Sequence, residues 1–81
     1  MSIAAEVEQF IVGEIAAGRG VGSVAHDDDL LADGIIDSLG ITELITFLER
    51  RYGIKVEDDD VEAENFRSVD SIVAFVEQKG V

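Results

Sequence analysis

Apolar residues recur every four positions at Ile3, Val7, Ile11 and Ile15, and Phe10 broadens the stripe. Glu6, Glu8 and Glu14 fall mostly off that face. The spacing predicts an amphipathic helix from Ser2 to about Ala17, with Ser2 as N-cap. Gly18-Arg19-Gly20 and Gly22 then end it. No period holds from Gly20 to Ile36. A stretch of that length is expected to be functional or to carry short ordered turns. Leu30, Leu31, Ile35 and Ile36 are expected to tuck under the helices, while Asp27-Asp28-Asp29 stays in water.

The apolar pattern resumes with Leu44, Ile45, Leu48 and Tyr52, which predicts a second helix from Ser38 to about Tyr52. Asp37 is its expected N-cap, because a carboxylate there accepts the free N–H groups of the first turn. Gly53 closes the helix with little strain, and Ile54 and Val56 return the chain to the core. Glu57 to Glu64 is almost wholly acidic. It is expected to form one short helical turn, with Val61 pointing inward and Phe66 anchoring its end. Ser68 is the expected N-cap of a last helix, and Asp70 complements its positive end. Val69, Ile72, Val73 and Val76 make the apolar face of that helix, with Phe75 beside them and Gly80 past its end. Ile54-Lys55-Val56 is too short an alternation to build a sheet. The expected fold is therefore all-α, a small four-helix bundle with three main helices, one short helix and a long loop between helices 1 and 2.

Eighty-one residues are expected to make one domain, residues 1–81, with a single modest core. Hydrophobic residues make up 47% of the chain, enough for packing and too many for disorder. The net charge of −12 comes from 18 acidic and 6 basic residues. Such a surface repels nucleic acid and anionic lipid headgroups and favours partners with basic patches. There is no cysteine, hence no disulfide framework and no thiolate metal site. The N-terminus lacks a signal-peptide pattern, and no apolar run approaches the ~20 residues that span a bilayer. A cytoplasmic monomer without nucleic-acid or membrane partners is the expectation.

Ser38 carries the most informative chemistry. At a helix start its oxygen meets free N–H groups and the positive end of the helix dipole, where a phosphodiester is well placed. A serine at this position is most often a cap. Here Asp37 competes for that role and leaves Ser38 without an evident structural duty. Asp37 also stands where a metal accompanying an incoming phosphate would bind. Gly40 is expected to leave one side of the first turn bare, so that another protein approaches the serine closely.

Asp37-Ser38-Leu39 resembles the modification motif of acyl carrier proteins. Glu43-Leu44 matches a Glu-Leu step on their second helix. Leu48, Tyr52 and Val56 fall where that family places apolar or aromatic residues. The acidic Glu57–Glu64 segment, Phe66-Arg67-Ser68-Val69 and the final amphipathic helix are similar to its third and fourth helices, so the resemblance covers essentially the whole chain. It implies a free-standing carrier that is not an enzyme. A phosphopantetheinyl transferase, assisted by magnesium, would attach the 4'-phosphopantetheine arm of coenzyme A to Ser38. The arm would hold acyl, aminoacyl or polyketide groups as thioesters, supplied by an acyl- or aminoacyl-loading ligase and passed to downstream biosynthetic enzymes. Leu39, Ile41, Thr42, Glu43 and Thr46 would meet those partners, with Ile41 exposed among them. Arg50 and Arg51 interrupt the second helix, which the fatty-acid members keep strongly acidic. Ile35-Ile36 and Gly40 also depart from the fatty-acid pattern. These departures resemble carriers of specialised pathways that hold amino acids or polyketide intermediates.

Rival chemistries fare worse on the residues. A hydrolase nucleophile would want Gly-x-Ser-x-Gly on a strand-to-helix turn, and the first of those glycines is Ile36 here. His26, the one histidine, reads as a solvated loop residue rather than a triad member. Asp27-x-Asp29 and Asp58-x-Asp60 open like calcium loops. Ala32 and Ala63 replace the required glycine, and Ser38 and Val69 replace the closing glutamate. An acidic helical adaptor or inhibitor would use the same bundle and charge to dock on a basic partner, with Ser38 dispensable and unmodified.

Overall fold

In a computed structural model describing residues 2–80, the chain is built from helices, and no strand occurs among the described residues. Helix α1 spans Ile3–Phe10 and runs into a π-helical turn, Ile11–Ile15. Helix α2 is Ser38–Tyr52, a 3-10 turn follows at Asp58–Asp60, and α3 is Ala63–Phe66. Helix α4, Val69–Gln78, closes the bundle. The core draws Val7 and Ile11 from the first segment, Leu44 and Leu48 from α2, Phe66 from α3, and Val69, Ile72, Phe75 and Val76 from α4. Each such side chain contributes about 1.5–3 kcal/mol on leaving water. The Phe66 and Phe75 rings meet at 5.5 Å and bind α3 to α4.

Helix starts follow their capping residues. Ser2 Oγ accepts from Ala5 N–H at 3.1 Å, Asp37 Oδ1 from Gly40 N–H at 2.8 Å, and Ser68 Oγ from Ser71 N–H at 3.1 Å. Helix α2 stops at Gly53, whose φ of +69° closes the last turn without a Cβ clash. The first helix departs from the expected Ser2-to-Ala17 span. Its α pitch ends at Phe10, and Ala16 N–H reaches back five residues to Ile11 O at 2.8 Å. Gly13 lies within the widened turn and holds α pitch weakly. The turn brings Ile15 against the first turn of α2.

The long loop is tied down rather than structureless. Leu30 N–H donates to Arg67 O at 2.7 Å, and Asp70 N–H donates to His26 O at 2.9 Å. Leu30 and Ile36 are fully in the core, while Leu31 and Ile35 pack at its edge. Only Asp27 of the aspartate run stays in water. Asp28 and Asp29 are half-buried, because their carboxylates accept the N–H groups of Ala25 and Ala32, both at 2.9 Å.

Val61 does not point inward. It is 47% exposed, and Phe66 fills the core position instead. The acidic segment makes two short turns rather than one. Glu57 and Asp60 cap each other across the first, and Asn65 Nδ2 holds Asp60 O at 2.8 Å. Val61 is left outside between them.

Candidate functional site

Ser38 opens α2 and is exposed. The cap bond from Gly40 N–H goes to Asp37, so the serine hydroxyl is not the helix cap. The approach to it is braced from both sides. Arg19 donates to Gly34 O at 2.7 Å and to Ile35 O at 3.2 Å, just before the serine. Gly40 is buried just after it, contrary to the bare side expected there. A Cβ on Gly40 would stand 3.1 Å from Ile15 Cγ2 and 3.3 Å from Ile36 Cγ2. Its missing side chain admits Ile15 and Ile36 rather than a partner protein. Asp37 is exposed, with one carboxylate oxygen occupied by the cap.

The structure spreads the five residues expected to meet partners along α2. Leu39 is 67% exposed beside Ser38. Ile41 is half-buried against the core rather than exposed, because the turn it occupies faces the bundle. Thr42, Glu43 and Thr46 are exposed and line one open groove of about 600 Å³ together with Phe10, Phe47 and Arg50. Thr42 Oγ1 donates to Ser38 O and Thr46 Oγ1 to Thr42 O, both at 3.2 Å. Phe10 and Phe47 form the groove's floor, stacked at 4.3 Å and 13°. Phe47 went unremarked in the sequence. Its signal was its place one residue before the core position Leu48, on the same side as the edge of the apolar stripe.

A polar tie runs beside the groove. Tyr52 Oη donates to Glu6 Oε1 at 2.5 Å, and Arg51 donates to Glu6 Oε2 at 2.8 Å. Partial burial, then the hydrogen bond to Glu6, pushes the Tyr52 phenol up to about 12. The bond from Tyr52, reinforced by Arg51, holds the Glu6 carboxyl below its usual range. Arg50 and Arg51 also lie in the last turn of α2, where positive charge complements the dipole. His26 pairs with Glu8 Oε1 at 2.9 Å. Among the described residues, no group of three or more His, Asp and Glu is placed to hold a metal ion, and no helix is long and apolar enough to cross a membrane.

The class the structure defines is a small helical bundle with an exposed serine, free of capping duty, at the head of α2. Comparison with known proteins gives that class its family. Residues 12–76 match the family described as "Phosphopantetheine attachment site". The chain is 33% identical to an acyl carrier protein of Solidesulfovibrio magneticus over 79 residues, 98% of this chain and 96% of that one. It is 40% identical to a D-alanyl carrier protein of Streptococcus pyogenes over 52 residues, 64% of this chain and 66% of that one. The solved structure of KstB-PCP in its apo form superposes with a TM-score of 0.73 at 41% identity, covering 90% of this chain and 80% of that one. The chain belongs to the phosphopantetheine-attachment family of acyl carrier proteins. It is a carrier protein with a covalently attached 4'-phosphopantetheine group, and members of this family work with transferases and biosynthetic enzymes.

Proposed function

We infer that Ser38 is the attachment residue, that residues 1–81 act as one carrier domain, and that the chain catalyses no reaction itself. The observation that carries this is the division of labour at α2, where Asp37 caps the helix and Ser38 presents a free, exposed hydroxyl. The site fits the group. An anionic phosphodiester on Ser38 would sit at the positive end of a 15-residue helix. The group supplies a terminal thiol on which cargo is held as a thioester. Arg19 and the Ile15–Gly40–Ile36 contact hold the serine in a fixed place for a phosphopantetheinyl transferase. Asp37 keeps a carboxylate oxygen beside it for the magnesium that accompanies the incoming phosphate. Exposed Leu39, with Thr42, Glu43 and Thr46, offers the surface that transferase, loading ligase and downstream enzymes meet, and Ile41 supports that surface from beneath.

The likeness to a D-alanyl carrier protein and to KstB-PCP supports an aminoacyl or peptidyl cargo. Arg50 and Arg51 support it too, because they place cations on α2. The acidic surface, with no membrane-length helix among the described residues, supports a cytoplasmic, monomeric carrier. Fragmentation mass spectrometry of protein loaded by a transferase tests the attachment point. The arm is expected on the fragment containing Ser38, and its appearance on any other serine overturns the assignment.

A further inference from the structure

Ser38, Thr42, Thr46 and Arg50 are spaced four apart on α2, so they form one row along the helix surface. That row leaves the attachment point and enters the groove floored by Phe10 and Phe47. At 1.5 Å per residue, Thr42 lies ~6 Å, Thr46 ~12 Å and Arg50 ~18 Å beyond Ser38 along the axis. A phosphopantetheine arm has about fourteen bonds from serine oxygen to sulfur, the equivalent of nearly five residues of extended chain, or roughly 16 Å. An arm laid along the row ends beside Phe47 and Arg50.

The geometry points to a seat for the arm and its cargo on this outer face of the α1–α2 junction, shaped for an aromatic acyl group. The inference rests on Ser38 being the attachment residue. Thr42 and Thr46 spend their hydroxyl protons on the helix carbonyls behind them, which leaves their oxygens as acceptors for the amide N–H groups of the arm. Phe10 and Phe47 are stacked nearly parallel and only half-buried, a flat apolar surface in a strongly acidic protein. Arg51 is engaged by Glu6, whereas Arg50 has no carboxylate partner among the described residues. Its guanidinium is the donor at the far end, where the thioester carbonyl would fall. The groove's ~600 Å³ is within the range of small-molecule sites. An adjoining hollow of about 360 Å³ shares both phenylalanines and extends the same floor past Gly13. The inner route is filled, since Leu44 and Leu48 are fully buried and Gly40 is pressed against Ile15 and Ile36.

The test compares backbone amide NMR spectra of the intact chain in three loaded states: free-thiol arm, benzoyl arm and octanoyl arm. The free-thiol arm is transferred from coenzyme A, the other two from benzoyl- and octanoyl-coenzyme A, and each product is checked by intact mass. The free-thiol arm is expected to shift Thr42 and Thr46 relative to the unloaded protein. The benzoyl arm is expected to add shifts at Phe10, Phe47 and Arg50 that the octanoyl arm does not match. Phe47→Ala is expected to accept the arm and lose the benzoyl shifts at Phe10. Arg50→Ala, an exposed change that spares the fold, is expected to weaken them. Benzoyl shifts confined to residues 38–41, or appearing at Val24, Leu44 and Leu48, overturn the seat. So do groove shifts that arise only when a partner enzyme is added. A wild-type chain that gains no arm mass removes the attachment reading itself, an outcome distinct from an arm that loads and leaves the groove unmoved.

Discussion

Asp37 Oδ1 accepts the Gly40 N–H at 2.8 Å, and that bond makes Asp37, not Ser38, the cap of α2. A cap of this kind is worth ~1 kcal/mol. Asp37→Ala is therefore expected to lower stability by about 1 kcal/mol, read as a lower urea midpoint at unchanged slope. Asp37→Asn is expected to stay near wild type, because its amide oxygen accepts the same bond. Equal losses in both variants would show that the carboxylate matters for a reason other than capping.

Gly40 and Gly13 should respond oppositely to added side chains. A Cβ at Gly40 meets Ile15 and Ile36 at 3.1 and 3.3 Å, whereas a Cβ at Gly13 meets nothing within 4 Å. Gly40→Val is expected to cost about 1–3 kcal/mol through overpacking. Gly13→Ala is expected to gain about 0.4–1 kcal/mol by restricting the unfolded chain. Thermal melts of the two variants check both signs. A neutral Gly40→Val would mean that the first turn of α2 is not pressed against the π-helical turn.

Tyr52 is the only tyrosine and the chain has no tryptophan, so its ionisation can be followed by ultraviolet absorbance without interference. The phenol is expected to titrate near 12, above the usual value near 10. The sign follows from that direction. A folded-state value above the unfolded one means the protonated phenol stabilises the fold, fully below about pH 10 and decreasingly as pH rises through 12. Glu6 works in the other direction. Its lowered value contributes stability above the ordinary carboxyl range, which is lost as pH falls through the folded value. Glu6→Gln is expected to move the phenol part of the way back only, because burial is the larger cause. Titration of wild-type Tyr52 near 10 would mean the phenol is neither buried nor bonded to Glu6.

Val61 and Phe66 separate the outer from the inner side of the acidic segment. Val61 is 47% exposed and Phe66 is fully buried. Val61→Ser is expected to change stability by less than about 0.5 kcal/mol, and Phe66→Ala to cost about 3–5 kcal/mol. Chemical denaturation of each variant checks the pair. A large loss at Val61 would restore the inward placement expected from its apolar side chain.

The helices were legible where apolar spacing and capping residues agree. Asp37 to Gly53 and Ser68 to Gly80 carry both signals, and α2 and α4 lie within them. The first helix was legible in its stripe and not in its pitch, because a π-helical turn keeps Ile11 and Ile15 on the inner side while adding a residue that four-step spacing does not register. Gly40 misled for a physical reason. A glycine in a sequence announces only an absent side chain, and whether solvent or Ile15 takes the space is decided by a segment twenty-five positions away. Val61 misled similarly, since one valine among acids has no period to give it a side. At the head of α2, the Asp37 cap and the exposed Ser38 and Leu39 were legible from local motif and capping. The groove was not, because the Phe10–Phe47 stack joins two helices separated by the whole loop.

Ser38 presents an exposed hydroxyl that caps nothing, and the proposed attachment is at that oxygen. The most direct test of that attachment is the intact mass of wild type and Ser38→Ala after incubation with coenzyme A, magnesium and a promiscuous phosphopantetheinyl transferase. A gain of one phosphopantetheine is expected on the wild type alone. Ser38→Ala is expected to stay folded within about 0.5 kcal/mol of wild type, because the hydroxyl is exposed and caps nothing. An unmodified wild type beside an active control carrier, or a Ser38→Ala variant that gains the arm, would rule out attachment at Ser38.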